Sequence, residues 1–193
     1  MSEPRKFWMR WRVRVGYPVA AVFWLLANPL PVSILIGGIV AAFGLAIRAA
    51  ASGHLRKDRE LATSGPYART RNPLYLGSAF LAAGFAIAGR SWPAGVLVVG
   101  YFAIFYYAVM RNEAEDLHRR FGAAFDAYAA RVPFFFPRFA RAYSTSSLPA
   151  GEAAEKFSWA QYRRNREYRA LIGTIAGLGI VWLRMWFRGR FGY

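Results

Sequence analysis

The chain has 193 residues, of which 56% are hydrophobic, and its formal net charge is +16 at pH 7. Soluble domains are about 45–50% apolar, so this composition excludes an ordinary water-soluble globule. The chain contains no cysteine, which excludes disulfides, thiolate nucleophiles and cysteine-based metal sites.

Five apolar runs predict an all-α integral membrane bundle of about five transmembrane helices, and we treat residues 1–193 as a single membrane domain. A helix needs about 17–25 apolar residues to cross the hydrocarbon core, and the first and last runs are short by this measure. Because no cleavage site follows the first run, we interpret it as a retained span and not as a signal peptide. The predicted spans are 15–28, 31–51, 73–89, 93–110 and 170–187.

Lysine and arginine concentrate between the apolar runs, and this distribution predicts the orientation of the chain. Proline-containing segments at 28–31 and 89–93 predict two tight turns between spans. If the N-terminus is cytoplasmic, the basic segments 1–14, 52–71 and 111–169 all face the cytoplasm, as the positive-inside rule expects. The N-terminus and the motif-bearing loops are therefore predicted to be cytoplasmic.

The fifth run fits this arrangement less well than the other four. It ends with Arg184, Arg188 and Arg190 on the predicted outer face, against the positive-inside rule. A re-entrant or interfacial segment therefore stays an alternative for 170–187. The spacing of Gly173 and Gly177 would let another helix approach closely, although this signal is weak.

Two segments outside the spans also have distinct patterns. Residues 111–131 alternate charged side chains with an apolar stripe at helical spacing, which predicts an amphipathic helix on the cytoplasmic side. The stripe consists of Leu117, Phe121, Phe125 and Tyr128. Residues 140–168 are small, polar and charged, and they predict a loop or an interfacial helix around Trp159 and Tyr162.

The string from Gly65 to Gly77, GPYARTRNPLYLG, is the densest unusual motif in the chain. Pro73 suits the first position of a helix and Asn72 the cap before it, so span three is predicted to begin there. Its free amide groups, flanked by Arg69 and Arg71, would suit a carboxylate or a phosphate. The alternative is a capped span with arginine and tyrosine anchors at the membrane surface.

A second group of residues follows span four, and together the two groups resemble a known family. Glu113, Leu117, Phe121-Gly122, Tyr128 and Arg131-Val132-Pro133 come after the first string in a fixed order. Over residues 52–138 the chain resembles the isoprenylcysteine carboxyl methyltransferases, and it is similar to the related membrane phospholipid N-methyltransferases.

The resemblance implies a membrane methyltransferase that uses S-adenosylmethionine without a Rossmann domain and modifies a lipophilic acceptor. It implies that Arg71 and Glu113 are catalytic. His54 and Lys57 are further candidates, with binding of anionic headgroups as their alternative role. By position, the residues implied to contact the cofactor are Leu61, Ala62, Tyr67, Asn72, Pro73, Leu74, Tyr75 and Glu113.

Two positions depart from the family pattern. Family members usually have His where this chain has Asn72, so a role that needs a titrating imidazole is lost there. Many members also carry a second Glu where this chain has Ala114, so we expect a single carboxylate, that of Glu113, to act in the site.

Several questions stay open at the level of sequence. The acceptor group is either a carboxylate, which needs no base, or an amine, for which Glu113 or His54 would take a proton. The alternative functions are an NAD(P)H-dependent enzyme similar to sterol reductases and a non-enzymatic protein that binds anionic lipids. The predicted partners are membrane lipids and the acceptor; neither nucleic acid nor a metal site is predicted, and the oligomeric state is left open.

Overall fold

A computed structural model describes residues 3–56, 60–138 and 156–191, and within these residues it contains helices and no strand. This confirms the predicted all-α class. The seven helices of the described residues are α1 (Glu3–Leu26), α2 (Pro31–His54), α3 (Pro73–Gly89), α4 (Trp92–Phe121), α5 (Ala123–Arg131), α6 (Trp159–Arg164) and α7 (Tyr168–Phe191). A single 3₁₀ turn, Gly65–Ala68, lies between α2 and α3.

Three of these helices are long and apolar enough to cross a membrane: α2, α4 and α7. The apolar part of α1, Val13–Leu26, and the whole of α3 are shorter. At 1.5 Å per residue, α3 is about 26 Å long, slightly less than the hydrocarbon core. α7 is one continuous helix of 24 residues, which favours a span over a re-entrant segment for the fifth apolar run.

The two short turns meet at one end of the bundle, which we call the turn end. The amide of Asn28 donates to the carbonyl of Gly89 at 2.8 Å, and the Ser33 hydroxyl donates to the carbonyl of Ala88 at 3.0 Å. The opposite end, which we call the site end, carries the residues between α2 and α3 and the charged half of α4. The two motif groups therefore lie at the same end of the bundle.

Helices α2 and α3 approach so closely that glycines are required at their contact. A methyl group added at Gly84 would lie 2.6 Å from the Gly37 carbonyl oxygen, and one added at Gly44 would lie 2.6 Å from the Gly77 carbonyl oxygen. In each helix the two glycines are seven residues apart, so they lie on one face two turns apart. Close approach of backbones at small residues is the usual packing mode of membrane helices.

The predicted close contact at Gly173 and Gly177 is only half right. The ring of Phe85 on α3 covers Gly177, at 2.7 Å from where a methyl group would be, whereas nothing in the described residues lies within 4 Å of such a group at Gly173. The spacing of these glycines therefore does not mark a helix contact within the described chain. The small-residue contact lies between α2 and α3.

The structure accounts for Arg184 near the end of α7. Its guanidinium lies 4.8 Å from the ring centroid of Trp24 and donates to the carbonyl of Leu25 at 3.0 Å. Leu25 is in the last turn of α1, where carbonyl groups lack partners within the helix and attract positive charge. Arg184 therefore pairs with a helix end, which explains one of the arginines that oppose the positive-inside rule.

The amphipathic segment 111–131 is not a separate helix. Its first part continues the fourth span as α4 without a break to Phe121, and α5 follows after Gly122, whose φ of 51° is the conformation that ends α4. The apolar stripe nevertheless stays together, because Phe125, Tyr128 and Val132 form a small core against Leu117 and Phe121.

We predict that Gly84→Ala destabilises the bundle by about 1–3 kcal/mol, because the added methyl group would overlap backbone atoms that cannot move independently. Thermal unfolding in detergent would measure this effect. The matched control is Gly173→Ala, where nothing described lies within 4 Å and a helical alanine is expected to be neutral or slightly stabilising. Equal melting temperatures for the two variants would contradict the importance of the α2–α3 contact.

Candidate active site

Two segments distant in sequence are joined at the site end: residues 69–72, just before α3, and residues 133–138, just after α5. Backbone carbonyls accept all of the joining hydrogen bonds, whereas the donors are two backbone amides and the side chains of Thr70 and Asn72. The four hydrogen bonds are Arg71 N to Pro133 O (2.9 Å), Arg138 N to Arg69 O (3.0 Å), Thr70 Oγ1 to Phe135 O (2.8 Å) and Asn72 Nδ2 to Phe134 O (2.8 Å).

A cavity of about 320 Å³ lies beside this junction, between the start of α3, the charged half of α4 and α5. Its volume is in the range of small-molecule sites. All nine residues that the sequence placed at the catalytic and cofactor positions line it. They are Leu61, Ala62, Tyr67, Arg71, Asn72, Pro73, Leu74, Tyr75 and Glu113.

Glu113 is held in the cavity wall by a hydrogen bond across two helices. The hydroxyl of Tyr75, in the first turn of α3, donates to Glu113 Oε2 at 2.7 Å. The Tyr75 ring is itself supported by Tyr106 on α4, with ring centroids 5.8 Å apart in an edge-to-face contact. A carboxylate has about four acceptor positions, so this contact leaves acceptor capacity for a ligand.

Arg71 brings a cationic group to the cavity wall. Its guanidinium lies 5.3 Å from the ring centroid of Phe134, and its Nε atom is buried without a hydrogen-bond partner among the described residues. Burial lowers the pKa of the Arg71 guanidinium. Buried donors are nearly always paired in folded proteins, so the unpaired Nε indicates a position where a ligand acceptor would be favourable.

Tyr67, in the 3₁₀ turn, is buried, and its carbonyl accepts a hydrogen bond of 2.8 Å from the hydroxyl of Tyr128. Burial, and next the negative charge of Glu113, raise the pKa of the Tyr67 phenol well above its ordinary value. The phenol is therefore neutral at physiological pH and remains a hydrogen-bond donor toward the cavity.

Asn72 lies at the predicted cap position of α3, but its side chain makes no capping hydrogen bond. Its amide nitrogen instead donates to Phe134, so the residue joins the two segments described above. The amide thus supplies a donor to the carbonyl of Phe134 at a part-buried position. The predicted cap is correct in position and wrong in the contact of its side chain.

Of the two further candidates, only His54 lies within the described residues, and it is not part of the cavity wall. His54 Nδ1 lies 2.8 Å from the carbonyl of Ala50, and its ring packs against Gly65 and Phe157 outside the set of lining residues. Gly65 has a φ of 58°, and a methyl group there would lie 2.6 Å from His54 Nε2, so this turn requires glycine. Lys57 lies outside the described residues.

Several lining residues were not assigned to the site from sequence. The phenylalanine-rich segment after α5 contributes Phe134, and α4 contributes Asp116 and Arg120 on the face of Glu113, three and seven residues further on. That helical spacing was a usable signal for the α4 pair. Nothing local marked Phe134, because its place in the wall depends on the junction between the two segments.

A second, more open cavity of about 460 Å³ lies on the other side of the charged half of α4. Arg71, Ala114, Phe125 and Phe134 line both cavities and so form a common wall. The remaining lining residues of the second cavity are Arg111, Glu115, His118 and Arg119. The cationic character of this side would favour an anionic group next to the first cavity.

Comparison with known proteins gives a family match that includes part of this region. Residues 45–124 match the phospholipid methyltransferase family. The resemblance inferred from the two motif groups is thereby confirmed at the level of the wider family. The match ends within α5, so the junction at residues 133–138 and the helices α6 and α7 lie outside it.

Two relatives have names that refer to metal resistance. The chain is 36% identical over 138 residues to the nickel-cobalt-cadmium resistance protein NccN of Alcaligenes xylosoxydans xylosoxydans. The aligned region covers 66% of this chain and 63% of the relative. It is 34% identical over 110 residues to the cobalt-zinc-cadmium resistance protein CzcN of Cupriavidus metallidurans, covering 57% and 47%. The chain thus spans about half to two thirds of these relatives. No solved structure matches it.

Metal-binding side chains are sparse in the part of the chain that the structure describes. Residues 3–56, 60–138 and 156–191 contain no group of three or more His, Asp or Glu that could hold a metal ion.

The raised pKa of Tyr67 predicts a specific dependence of stability on pH. The unfolded chain releases this proton near the ordinary phenol pKa of about 10, whereas the folded state holds it to higher pH. The contribution of the Tyr67 phenol to the free energy of unfolding is therefore full below the ordinary pKa. It is lost as the pH rises from the ordinary pKa toward the raised pKa of the folded state. We expect the alkaline fall in melting temperature to be smaller in Tyr67→Phe than in wild type. The same fall in both proteins would contradict the burial of this phenol.

Proposed function

We propose that the protein transfers a methyl group from S-adenosylmethionine to a lipophilic acceptor at a membrane surface. One observation carries the proposal: the nine residues that the resemblance assigns to the site line a single cavity, and the family match covers all nine. The alternatives of a sterol-reductase-like enzyme and of a lipid-binding protein without activity do not account for this match to methyltransferases.

The groups present in the cavity suit S-adenosylmethionine. Glu113 offers carboxylate oxygens to ribose hydroxyls or to an ammonium group, and Arg71 offers an unpaired donor to a carboxylate. Tyr67 and Tyr75 add aromatic surface beside these charges, a combination that suits the sulfonium as well. The volume of the cavity is adequate for a ligand that is partly enclosed.

When bound, S-adenosylmethionine supplies a methyl group that is already activated on sulfonium, so the protein needs to align the reactants and exclude water. The residues of this chain suit that task. Tyr75 fixes the carboxylate of Glu113 by its hydrogen bond, and Phe134 fixes the guanidinium of Arg71 by stacking. The apolar core around Phe125 and Tyr128 closes the side of the cavity away from the spans.

The roles of Arg71 and Glu113 in this proposal depend on whether the acceptor is a carboxylate or an amine. A carboxylate acceptor, as in the isoprenylcysteine subtype, would use Arg71 for orientation and would need no base. An amine acceptor must lose a proton, and we assign this task to Glu113, which Tyr75 holds in the cavity wall, since His54 lies outside the cavity. We further propose that the site end faces the cytoplasm, on the basis of the distribution of basic residues.

Cofactor binding is the first test. We predict that Glu113→Gln and Arg71→Gln each weaken binding of S-adenosylmethionine to purified protein by about ten- to a hundredfold, the range for lost hydrogen bonds to charged groups. Isothermal titration calorimetry in detergent would measure the change. The matched controls are Glu115→Gln and Arg69→Gln, which remove the same charges from residues outside this cavity. A folded wild-type protein that does not bind the cofactor would overturn the proposal.

Turnover is the second test, and it also identifies the acceptor. Total membrane lipids incubated with wild-type protein and methyl-labelled S-adenosylmethionine are expected to yield a labelled species, which mass spectrometry would identify as an ester or a methylated amine. With Glu113→Gln, an amine acceptor predicts a lower kcat that rises with pH, whereas a carboxylate acceptor predicts no such pH dependence. Binding of the cofactor without labelling of any lipid would exclude a lipid acceptor.

A further inference from the structure

A corner rich in arginine connects α6 to α7, and the family match does not reach it. Five cationic side chains of this corner are exposed, and they form no ion pair among the described residues. Glu167, the only acidic residue between positions 156 and 169, is largely buried against Arg48 at 2.5 Å, so it does not pair with these cations. The five cations of the corner are Lys156, Arg163, Arg164, Arg166 and Arg169.

The corner is placed where a membrane-crossing helix begins. The candidate span of α7 starts at Tyr168, and Arg166, with a φ of 54°, makes the left-handed turn between α6 and α7. The exposed rings of Phe157 and Trp159 pack together with centroids 4.9 Å apart. Exposed aromatic rings next to the end of a span are typical of the membrane–water interface.

We propose that this corner is a binding site for anionic phospholipid headgroups. Clusters of four to eight Lys or Arg directly beside a membrane span attract anionic lipids, at about fivefold in affinity per cation near the surface. The paired rings of Phe157 and Trp159 would rest at the level of the headgroups, while the arginines meet the phosphates. A soluble anion would have no use for those exposed rings.

The inner side of the corner holds part of the cavity wall, which gives the lipid site a consequence. The side chains of Gln161 and Asn165 donate to the carbonyl of Leu55 at 2.6 and 2.9 Å, at the end of α2. Leu55 and Leu74 both line the first cavity, and Arg48, paired with Glu167, donates to the carbonyl of Leu74 at 3.3 Å. Anionic lipid that orders the corner therefore also orders this wall.

Native mass spectrometry of lipid retention tests the site without reference to catalysis. Wild type purified from mixed phosphatidylglycerol and phosphatidylcholine is expected to retain phosphatidylglycerol preferentially. In R163Q/R164Q the ratio of retained phosphatidylglycerol to retained phosphatidylcholine is expected to fall by about tenfold or more. The matched control is R188Q/R190Q, which removes the same charge from the other end of α7. Equal phosphatidylglycerol retention by all three folded proteins would overturn the proposal, as would its displacement by inorganic phosphate alone.

The consequence for the cavity rests on the proposed function and has its own measurement. In nanodiscs, replacing part of the phosphatidylcholine by phosphatidylglycerol is expected to strengthen S-adenosylmethionine binding about fivefold or more in wild type, and less in R163Q/R164Q. An unchanged affinity would overturn the coupling. Absence of cofactor binding in every lipid would contradict the proposed function, while lipid retention would still decide the lipid site.

Discussion

The close approach of α2 and α3 is the constraint on which the other contacts of the described chain depend. Gly44 and Gly77 let the two backbones meet near the site end, and Arg48, one turn further along α2, then reaches the carbonyl of Leu74 and the hydroxyl of Ser78. Because both helix ends are held in this way, the loop between them is confined beside α4. Larger side chains at these glycines would separate the two helices and displace the loop residues that line the cavity.

The cavity itself is assembled by electrostatic and backbone contacts around polar groups that cannot be left unpaired. Tyr75 donates to Glu113, Asn72 donates to Phe134, and Tyr128 donates to Tyr67. Each of these bonds connects parts of the chain that are more than 30 residues apart, so each resists separation of α3 from α4 and α5. The Nε atom of Arg71 is the exception, and an unsatisfied donor in an otherwise satisfied wall is where a ligand would gain most.

The corner between α6 and α7 has an inner side that contacts the helix bundle and an exposed, positively charged outer side. Its inner side chains form hydrogen bonds and an ion pair with α2, whereas its outer side chains carry the exposed charge. Glu167 lies among the arginines in sequence, but its side chain faces inward and pairs with Arg48. A single short segment thus contacts the wall of the site and, in the proposed lipid site, would contact the lipid surface as well. The methyl donor and the lipid environment would then be sensed through neighbouring parts of one structure.

The sequence by itself determined the helical membrane class, because apolar runs of span length have few other stable states. It predicted nine cavity residues, because seven of them lie in two ordered motifs that resemble a known family and the other two, Leu61 and Ala62, lie just before the first motif. It also placed Asn72 and Glu113 at one end of the bundle through the positions of the turns. Only the tertiary structure decided that Gly37, Gly44, Gly77 and Gly84 form the close contact, that His54 lies outside the cavity and that Phe134 lies in its wall. Those outcomes depend on which residues meet across helices, and periodicity within one segment carries no information about its partner.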